Sequence, residues 1–332
     1  MTGRPGTGKP PEADEKFLVL IRGALGDVLL ALPFIAALPA HFKVQALTLV
    51  GRRANLELLI NQPFVSAIMD HDQAAWAGLY QDPPKISTHL SRLFLSHKGA
   101  VVLTKNIADP ALSGLKQSGL PMTLAVPSHP PEGGGMHLTD HMFAASGIKP
   151  LPEPTLIKPT AEAMNQALSF LEAERLDRAS WIALHPGSGG RKKNWPLDQW
   201  FELARGLSKK SGLNILFIQG PAESGLGKII KDEMAPRKVF LAQELTLPVL
   251  AALLNLGRCY IGHDSGVTHL SAKLGLPTIA IFGPTDPACW APRGPRVTIL
   301  SPPRGPDVSQ DWNWLQPQQV IQAALKLLER FP

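Results

Sequence analysis

The stretch 258–287, RCYIGHDSGVTHLSAKLGLPTIAIFGPTDP, gathers residue types suited to holding an anion. Asp264, Ser265 and Gly266 bring an acid, a hydroxyl and a bare glycine amide to consecutive positions. They precede an apolar run from about Val267 to Leu274, so they read as a loop entering a helix. Unpaired N–H groups and the helix dipole favour a phosphate there. His269 lies one turn in, within reach of the same ligand. Gly275 stops the helix, and the apolar runs Cys259–Gly262 and Pro277–Phe282 read as buried strands. Gly283-Pro284-Thr285-Asp286 ends the second strand at the sheet edge where open parallel sheets bind ligands. Singly, Asp264 and Ser265 also fit plain helix caps, and His269 a half-buried core histidine. Together with the Gly-Pro-Thr-Asp tip they favour a nucleotide-diphosphate site.

Two more loops leave strand ends in the same half. Strand Trp181–His185 runs into Pro186-Gly187-Ser188-Gly189-Gly190-Arg191-Lys192-Lys193-Asn194-Trp195, and strand Asn214–Gln219 into Gly220-Pro221-Ala222-Glu223. In a parallel sheet these loops and 262–266 converge on one edge. Ser188, Gly189 and Lys193 would then offer a hydroxyl, open amides and a cation to phosphates. Glu223 would offer a carboxylate to a ribose diol. Singly, the basic run fits a solvated loop and Glu223 a helix N-terminal charge.

The elements that position these loops alternate strand and helix. Lys16–Ile21 is a buried strand, followed by Arg22-Gly23-Ala24-Leu25-Gly26-Asp27 and a helix over Val28–Leu38, with Asp27 at its cap and Pro33 kinking it. This opens a Rossmann-like half without the GxGxxG spacing, and no acid ends the next strand, Val44–Val50. Asp27 projects from the strand's carboxyl end as a cap or as a functional acid. Helix Asn55–Ile60 and strands Val65–Met69 and Ala100–Thr104 continue the alternation. The chain between Thr104 and Pro150 reads as irregular, with an exposed loop at 128–137 and a helix over His137–Ser146. The segment 148–160 holds four prolines and reads as a stiff linker. Helix Leu197–Ser208, strand Lys238–Leu241, helix Leu247–Leu256, strand Val297–Leu300 and an amphipathic helix Pro317–Arg330 complete the second half. The expected domains are a disordered tail over 1–15, an N-terminal domain over 16–150, a linker over 151–160 and a C-terminal domain over 161–332.

Composition narrows the classes. A chain of 332 residues with 44% hydrophobic content suits two α/β domains. Its net charge of +6 is scattered and aromatics make up only 6%, which disfavours nucleic acid and suits an anionic small molecule or membrane face. Cys259 and Cys289 form no disulfide framework, which fits a reducing cytoplasm. The N-terminal residues lack the apolar core of a signal peptide. The run Val28–Ala40 reads as too short to span a membrane. The expectation is a soluble protein, at most peripheral to a membrane.

RGALGDVLLALP, HPGSGGRKKNWPLDQW, IQGPAES and GHDSGVTHLSAKLGLPTIAIFGPTDP occur in the order seen in family-nine glycosyltransferases. The chain resembles the ADP-heptose:lipopolysaccharide heptosyltransferases of that family. The resemblance implies a GT-B fold: two Rossmann-like domains with parallel sheets facing an interdomain cleft, the C-terminal helix crossing back. It implies Asp27 as the base of an inverting transfer, taking the proton of an acceptor hydroxyl. The diphosphate leaves as an anion and needs no strong general acid, only fixed dipoles and a cation. Lys193 resembles the phosphate-binding lysine, and Ser188 with Gly189 the hydroxyl-bearing loop, Gly189 replacing a frequent second hydroxyl residue. Glu223 resembles the ribose-binding acid. Asp264, Ser265, Gly266 and His269 match the diphosphate and sugar signature, and Leu245 is expected to pack on adenine. Arg22 and Gly26 are candidate acceptor contacts. Neither half is expected to carry the Asp-x-Asp element of metal-dependent transferases, so neither an obligatory metal nor a cofactor is implied. The partners implied are a nucleotide-sugar donor and a glycan or glycolipid acceptor, with peripheral contact at the cytoplasmic face of the inner membrane.

Residues 70–135 match no acceptor-binding pattern, which leaves lipopolysaccharide core, another lipid-linked glycan or a soluble glycan open. The alternatives are a transferase or epimerase using a UDP- or GDP-sugar, and a non-catalytic nucleotide-sugar binding protein. An NAD-dependent oxidoreductase fits least, because the loop at 22–27 lacks the dinucleotide spacing.

Overall fold

The computed structural model describes residues 15–131, 135–220, 223, 225–235, 239–303 and 312–331, with the backbone alone at Arg191. The expected tail before Glu15, part of the loop at 128–137, Pro221, Ala222 and Lys238 lie outside the described residues. The chain divides into two compact units. The first holds Met1–Arg22, Pro33–His129 and His141–Leu151; the second holds Gly23–Leu32, Pro130–Asp140 and Pro152–Pro332.

In chain order the first elements are β1 (Lys16–Ile21), α1 (Leu25–Phe42), β2 (Ala46–Gly51), α2 (Arg53–Leu56), β3 (Val65–Asp70), α3 (Thr88–Leu95), β4 (Ala100–Thr104), α4 (Pro110–Gln117), β5 (Thr123–Pro127) and α5 (Leu138–Ser146). The strands form one parallel sheet in the order β3-β2-β1-β4-β5. KFLVLI is almost wholly buried because a central strand of a parallel sheet is covered on both faces. The chain leaves β1 towards β2 on one side and later resumes at β4 on the other, so β1 and β4 flank the topological switch point.

The second series is α6 (Ala161–Glu174), β6 (Trp181–His185), α7 (Leu197–Ser211), β7 (Asn214–Gln219), α8 (Leu226–Met234), β8 (Phe240–Gln243), α9 (Leu247–Asn255), β9 (Cys259–His263), α10 (Gly266–Lys273), β10 (Thr278–Ile281), α11 (Pro287–Trp290), β11 (Val297–Leu300) and α12 (Pro317–Arg330). The sheet order is β11-β10-β9-β6-β7-β8, all parallel. Its switch point lies between β6 and β9. The core beneath it joins Ile182, Leu184 and Ile261 to Trp200 and Leu203 of α7 and to Val320, Ile321 and Ala324 of α12. The terminal helix thus packs on α7 within this unit. Gly206 makes the approach feasible, since a Cβ there would lie 2.4 Å from Ile321 Cδ1.

Several boundaries differ from expectation for local reasons. Helix α1 begins at Leu25, not Val28, and continues through Pro33 and Pro39. Asp27 therefore sits in its first turn, where its carboxylate accepts the Ala24 N–H at 2.9 Å, one arm of a capping box. At 18 residues α1 is long and apolar enough, by length and composition, to cross a membrane. Its Leu29, Ala31, Leu32, Phe34 and Ile35 are nevertheless fully buried in the fold. The stretch after Thr104 is not irregular: Asp109 caps α4 through the Ala111 N–H at 3.0 Å, and β5 follows as an edge strand ending on Pro127. The proline-rich linker gives way to α6, whose cap is Thr160.

Candidate active site

The carboxyl ends of β6, β7 and β9 lie side by side, so the loops read from the sequence do meet on one sheet edge. Helix α10 begins there. Its N-cap Ser265 is extended and makes no side-chain cap bond. Among the described residues the N–H groups of Gly266 and Val267 have no acceptor, leaving the first turn open to an anion. Ser265 Oγ instead lies 3.1 Å from Thr268 Oγ1 and 3.4 Å from His185 Nδ1. Thr268 is fully buried and donates to the His263 carbonyl, while the Tyr260 hydroxyl sits 3.0 Å from it. This hydroxyl network fixes the corner that β9 and α10 make.

Lys193 and Asp264 meet directly, with Nζ 2.6 Å from Oδ2. Thr285 donates to the same carboxylate oxygen at 2.8 Å, and His269 Nε2 stands 3.7 Å from the other. Burial opposes ionisation of Asp264, but His269 and Lys193 outweigh it and hold the carboxyl at about 2. Asp264 is thus an anion at neutral pH that aims the lysine.

The loop after β6 closes on itself. Ser188 Oγ donates to Asn194 Oδ1 at 2.6 Å, so the hydroxyl expected to face phosphate braces the loop in this state. Glu223 accepts the Gly220 N–H at 2.8 Å and lies 3.9 Å from His185 Nε2. That histidine, ahead of the opposing cost of burial, holds the Glu223 carboxyl below the usual carboxylate range. The carboxylate occupies the space above Gly187, where a Cβ would lie 2.1 Å from its Cδ.

A cavity of about 630 Å³ opens between these loops. Ser188, Asn194 and Glu223 form its polar side; Trp195, Leu197, Leu226 and Ile229 form its apolar side. Gly189, Lys193, Asp264 and Leu245 are not among its lining residues. Leu245 is half-buried beyond β8, the edge strand next to β7.

Asp27 belongs to a segment of the second unit. A Cβ at Gly26 would lie 3.3 Å from His269 Cδ2, and one at Gly266 would lie 2.8 Å from Leu25 Cβ. The glycines let the N-terminal ends of α1 and α10 abut, so two positive dipole ends and Asp27 share one neighbourhood. Arg22 belongs to the first unit, where it pairs with Asp109 and stacks over the Tyr80 ring at 5.4 Å.

The sequence reading gave His185 and Asn194 no role, although both lie in a quoted motif; Thr285 counted there only as part of the Gly-Pro-Thr-Asp tip, and the bonds that Thr268 and Thr285 make were not legible. It also missed Asp70-His71-Asp72, which does have Asp-x-Asp spacing, contrary to the expectation for both halves. That cluster ends β3 in the first unit, and one ligand atom from each residue falls within 4.8 Å of the others.

The sequence pattern of glycosyltransferase family 9 (heptosyltransferase) matches residues 102–312, well over half of the chain. The protein belongs to this family. The family 9 chain is 27% identical over 154 residues to lipopolysaccharide heptosyltransferase 3 of Escherichia coli, a match spanning 44% of this chain and 45% of that protein. It therefore spans under half the length of that relative. Among solved structures, the family 9 glycosyltransferase of Veillonella parvula superposes with a TM-score of 0.78 at 19% identity, covering 98% of this chain and 100% of that one. The ADP-heptose lipopolysaccharide heptosyltransferase II of E. coli gives 0.75 at 17% identity, covering 95% and 99%. The α/β architecture with two parallel sheets is therefore that of the GT-B heptosyltransferases.

Proposed function

We propose that this family 9 enzyme transfers a heptose from ADP-heptose to a hydroxyl of a glycan acceptor, with inversion and with Asp27 as general base. The observation that carries the reading is the meeting of the α1 and α10 N-termini across Gly26 and Gly266, which sets Asp27 beside the Asp264–Lys193 pair's helix. The adenosine fits the cavity between Ser188, Glu223 and Ile229, with its ribose diol donating to Glu223. The diphosphate then lies against the open amides of Gly266 and Val267, with Lys193 neutralising it. As the C–O bond to the diphosphate breaks, the acceptor oxygen forms the new bond at the anomeric carbon and Asp27 takes its proton. Charge builds on the departing ADP, where two helix N-termini and a lysine already stand. These fixed charges supply what a cation would, so we take the transfer to need no obligatory metal. The acceptor in this reading is lipopolysaccharide inner core or a related glycolipid, reached from the cytoplasm at the inner membrane. The names of the relatives and the basic net charge support that choice.

Asp27→Asn tests the reading. Turnover on an acceptor panel is expected to fall about 10²-fold or more, while ADP affinity by calorimetry stays near wild type and a chelator changes neither. Unaltered turnover in the variant removes Asp27 from the mechanism, and preference for UDP or GDP over ADP removes the donor.

A further inference from the structure

The loop that carries Lys193 is tied to the β9–α10 corner twice, and the second tie lies outside every motif role given above. His263, the last residue of β9, is fully buried. Its Nε2 accepts the Trp195 N–H at 2.8 Å. A backbone N–H can only donate, so Nε2 carries no proton and the ring is the neutral Nδ1–H tautomer. Burial, reinforced by the nearby His185, pushes its pKa down to about 3, against the opposing pull of the Gly187 and Pro186 carbonyls and Asp264. The ring is clamped between aromatics: Trp200 stands edge-on with centroids 5.1 Å apart, and Trp312 lies 5.7 Å away. Trp195 itself packs edge-on against Trp200 at 5.6 Å.

The two ties run in parallel. His263 and Asp264 are consecutive; they grip Trp195 and Lys193, which are two residues apart in one loop. The salt bridge alone leaves a long lysine stem free to swing the loop, whereas the imidazole bond fixes the backbone from which that stem leaves. We propose that His263 is a positioning residue that sets Lys193 against the donor diphosphate, acting through the Trp195 amide. The inference rests on the donor reading above and goes beyond it by assigning to the buried strand-end histidine a share in phosphate recognition.

The test is a double-mutant cycle read by calorimetry with ADP and adenosine. His263→Phe keeps a ring between Trp200 and Trp312 but removes the acceptor. ADP affinity is expected to fall roughly tenfold, the scale of one unsatisfied buried donor, while adenosine affinity stays unchanged. His263→Gln places an amide oxygen near the former Nε2 and is expected to restore most of the loss. In a Lys193→Ala background His263→Phe is expected to cost no further ADP affinity, because its effect passes through the lysine. An equal loss in both backgrounds, or an equal loss for adenosine, makes the histidine merely structural and overturns the proposal. Should the phenylalanine variant not fold, as judged by thermal unfolding, His263→Asn takes its place in the same cycle, since its shorter amide draws the acceptor back from Trp195. Wild-type protein that binds no nucleoside diphosphate overturns the donor reading and this inference together. Wild-type binding with an unaffected His263→Phe overturns this inference alone.

Discussion

Gly187→Ala is a small change with a directed consequence. The new Cβ would lie 2.1 Å from Glu223 Cδ and Oε1 and 2.3 Å from Cγ, distances no real contact tolerates. The obstacle is the end of a flexible side chain rather than backbone, so Glu223 swings away and the fold survives. What is lost is its anchored pose: the bond from the Gly220 N–H and the neighbourhood of His185. A hydrogen bond to a charged group is worth about 1.5–3 kcal/mol, which predicts a donor KM raised roughly 10- to 100-fold with kcat affected less. Stability is expected to change by no more than about 1 kcal/mol. The assay compares ADP with 2′,3′-dideoxy-ADP by calorimetry. Wild type should prefer the diol, and Gly187→Ala should lose that preference as fully as Glu223→Ala does. In a Glu223→Ala background the space above residue 187 is empty, so Gly187→Ala should then cost nothing more. A full Gly187→Ala penalty in that background, or an intact diol preference in the single variant, refutes the reasoning.

Acid should unfold this protein early. Burial, first among the causes, holds His263 at about 3 and His137 at about 4, and lowers His97 as well. The unfolded chain takes up these protons near pH 6.5 and the folded one does not, so their stabilising effect is complete above 6.5 and lost as pH falls. His263 and His137 each contribute up to about 1.4 kcal/mol per pH unit between their folded and unfolded values, and His97 acts in the same direction. Urea unfolding at pH 7, 6 and 5 should show a falling free energy, and a flat profile contradicts the assignment. Asp264, depressed to about 2, adds its own loss only below about pH 4, the usual aspartate range. Lys273→Met should stabilise the protein. Lys273 is 5% exposed, has no carboxylate partner among the described residues, and is pushed down to about 8 by burial and then by Arg293. Removing a buried ammonium of matching stem volume should gain about 1–3 kcal/mol at pH 7. The gain should fade above pH 8 and vanish past about 10.5, where both states are neutral; denaturant midpoints that do not rise at pH 7 contradict this.

The parts of the fold legible in the sequence were those set by burial alone. Lys16–Ile21, Ala100–Thr104, Trp181–His185 and Asn214–Gln219 were bounded correctly, because strands covered on both faces read as unbroken apolar runs; Val297–Leu300, a half-buried edge strand, was bounded correctly as well. Helix α12 was legible from its apolar stripe and Pro317. Where local chemistry competes, the reading slipped. Asp27 looked like a cap, yet the helix starts two residues before it, and the same carboxylate does its capping from inside the first turn. PALSGLKQ has too little periodicity to show as a helix without knowing that Asp109 caps it.

The site was legible as a list and not as a circuit. Residue types at strand ends showed which loops would gather at one sheet edge, because a parallel sheet fixes where those ends lie. They could not show that Lys193 rests on Asp264, since that contact joins positions far apart in the chain, across β6 and β9. Nor could they show that His263 faces inward to Trp195 while Asp264, one residue on, faces the lysine. Alternation along a strand end splits consecutive residues between core and cleft. In the donor reading proposed above, that split gives the two residues different tasks: the inward one fixes the backbone of the loop and the outward one its charge. A substitution at either position should therefore be felt by the phosphates, but only the outward one should change the charge they meet.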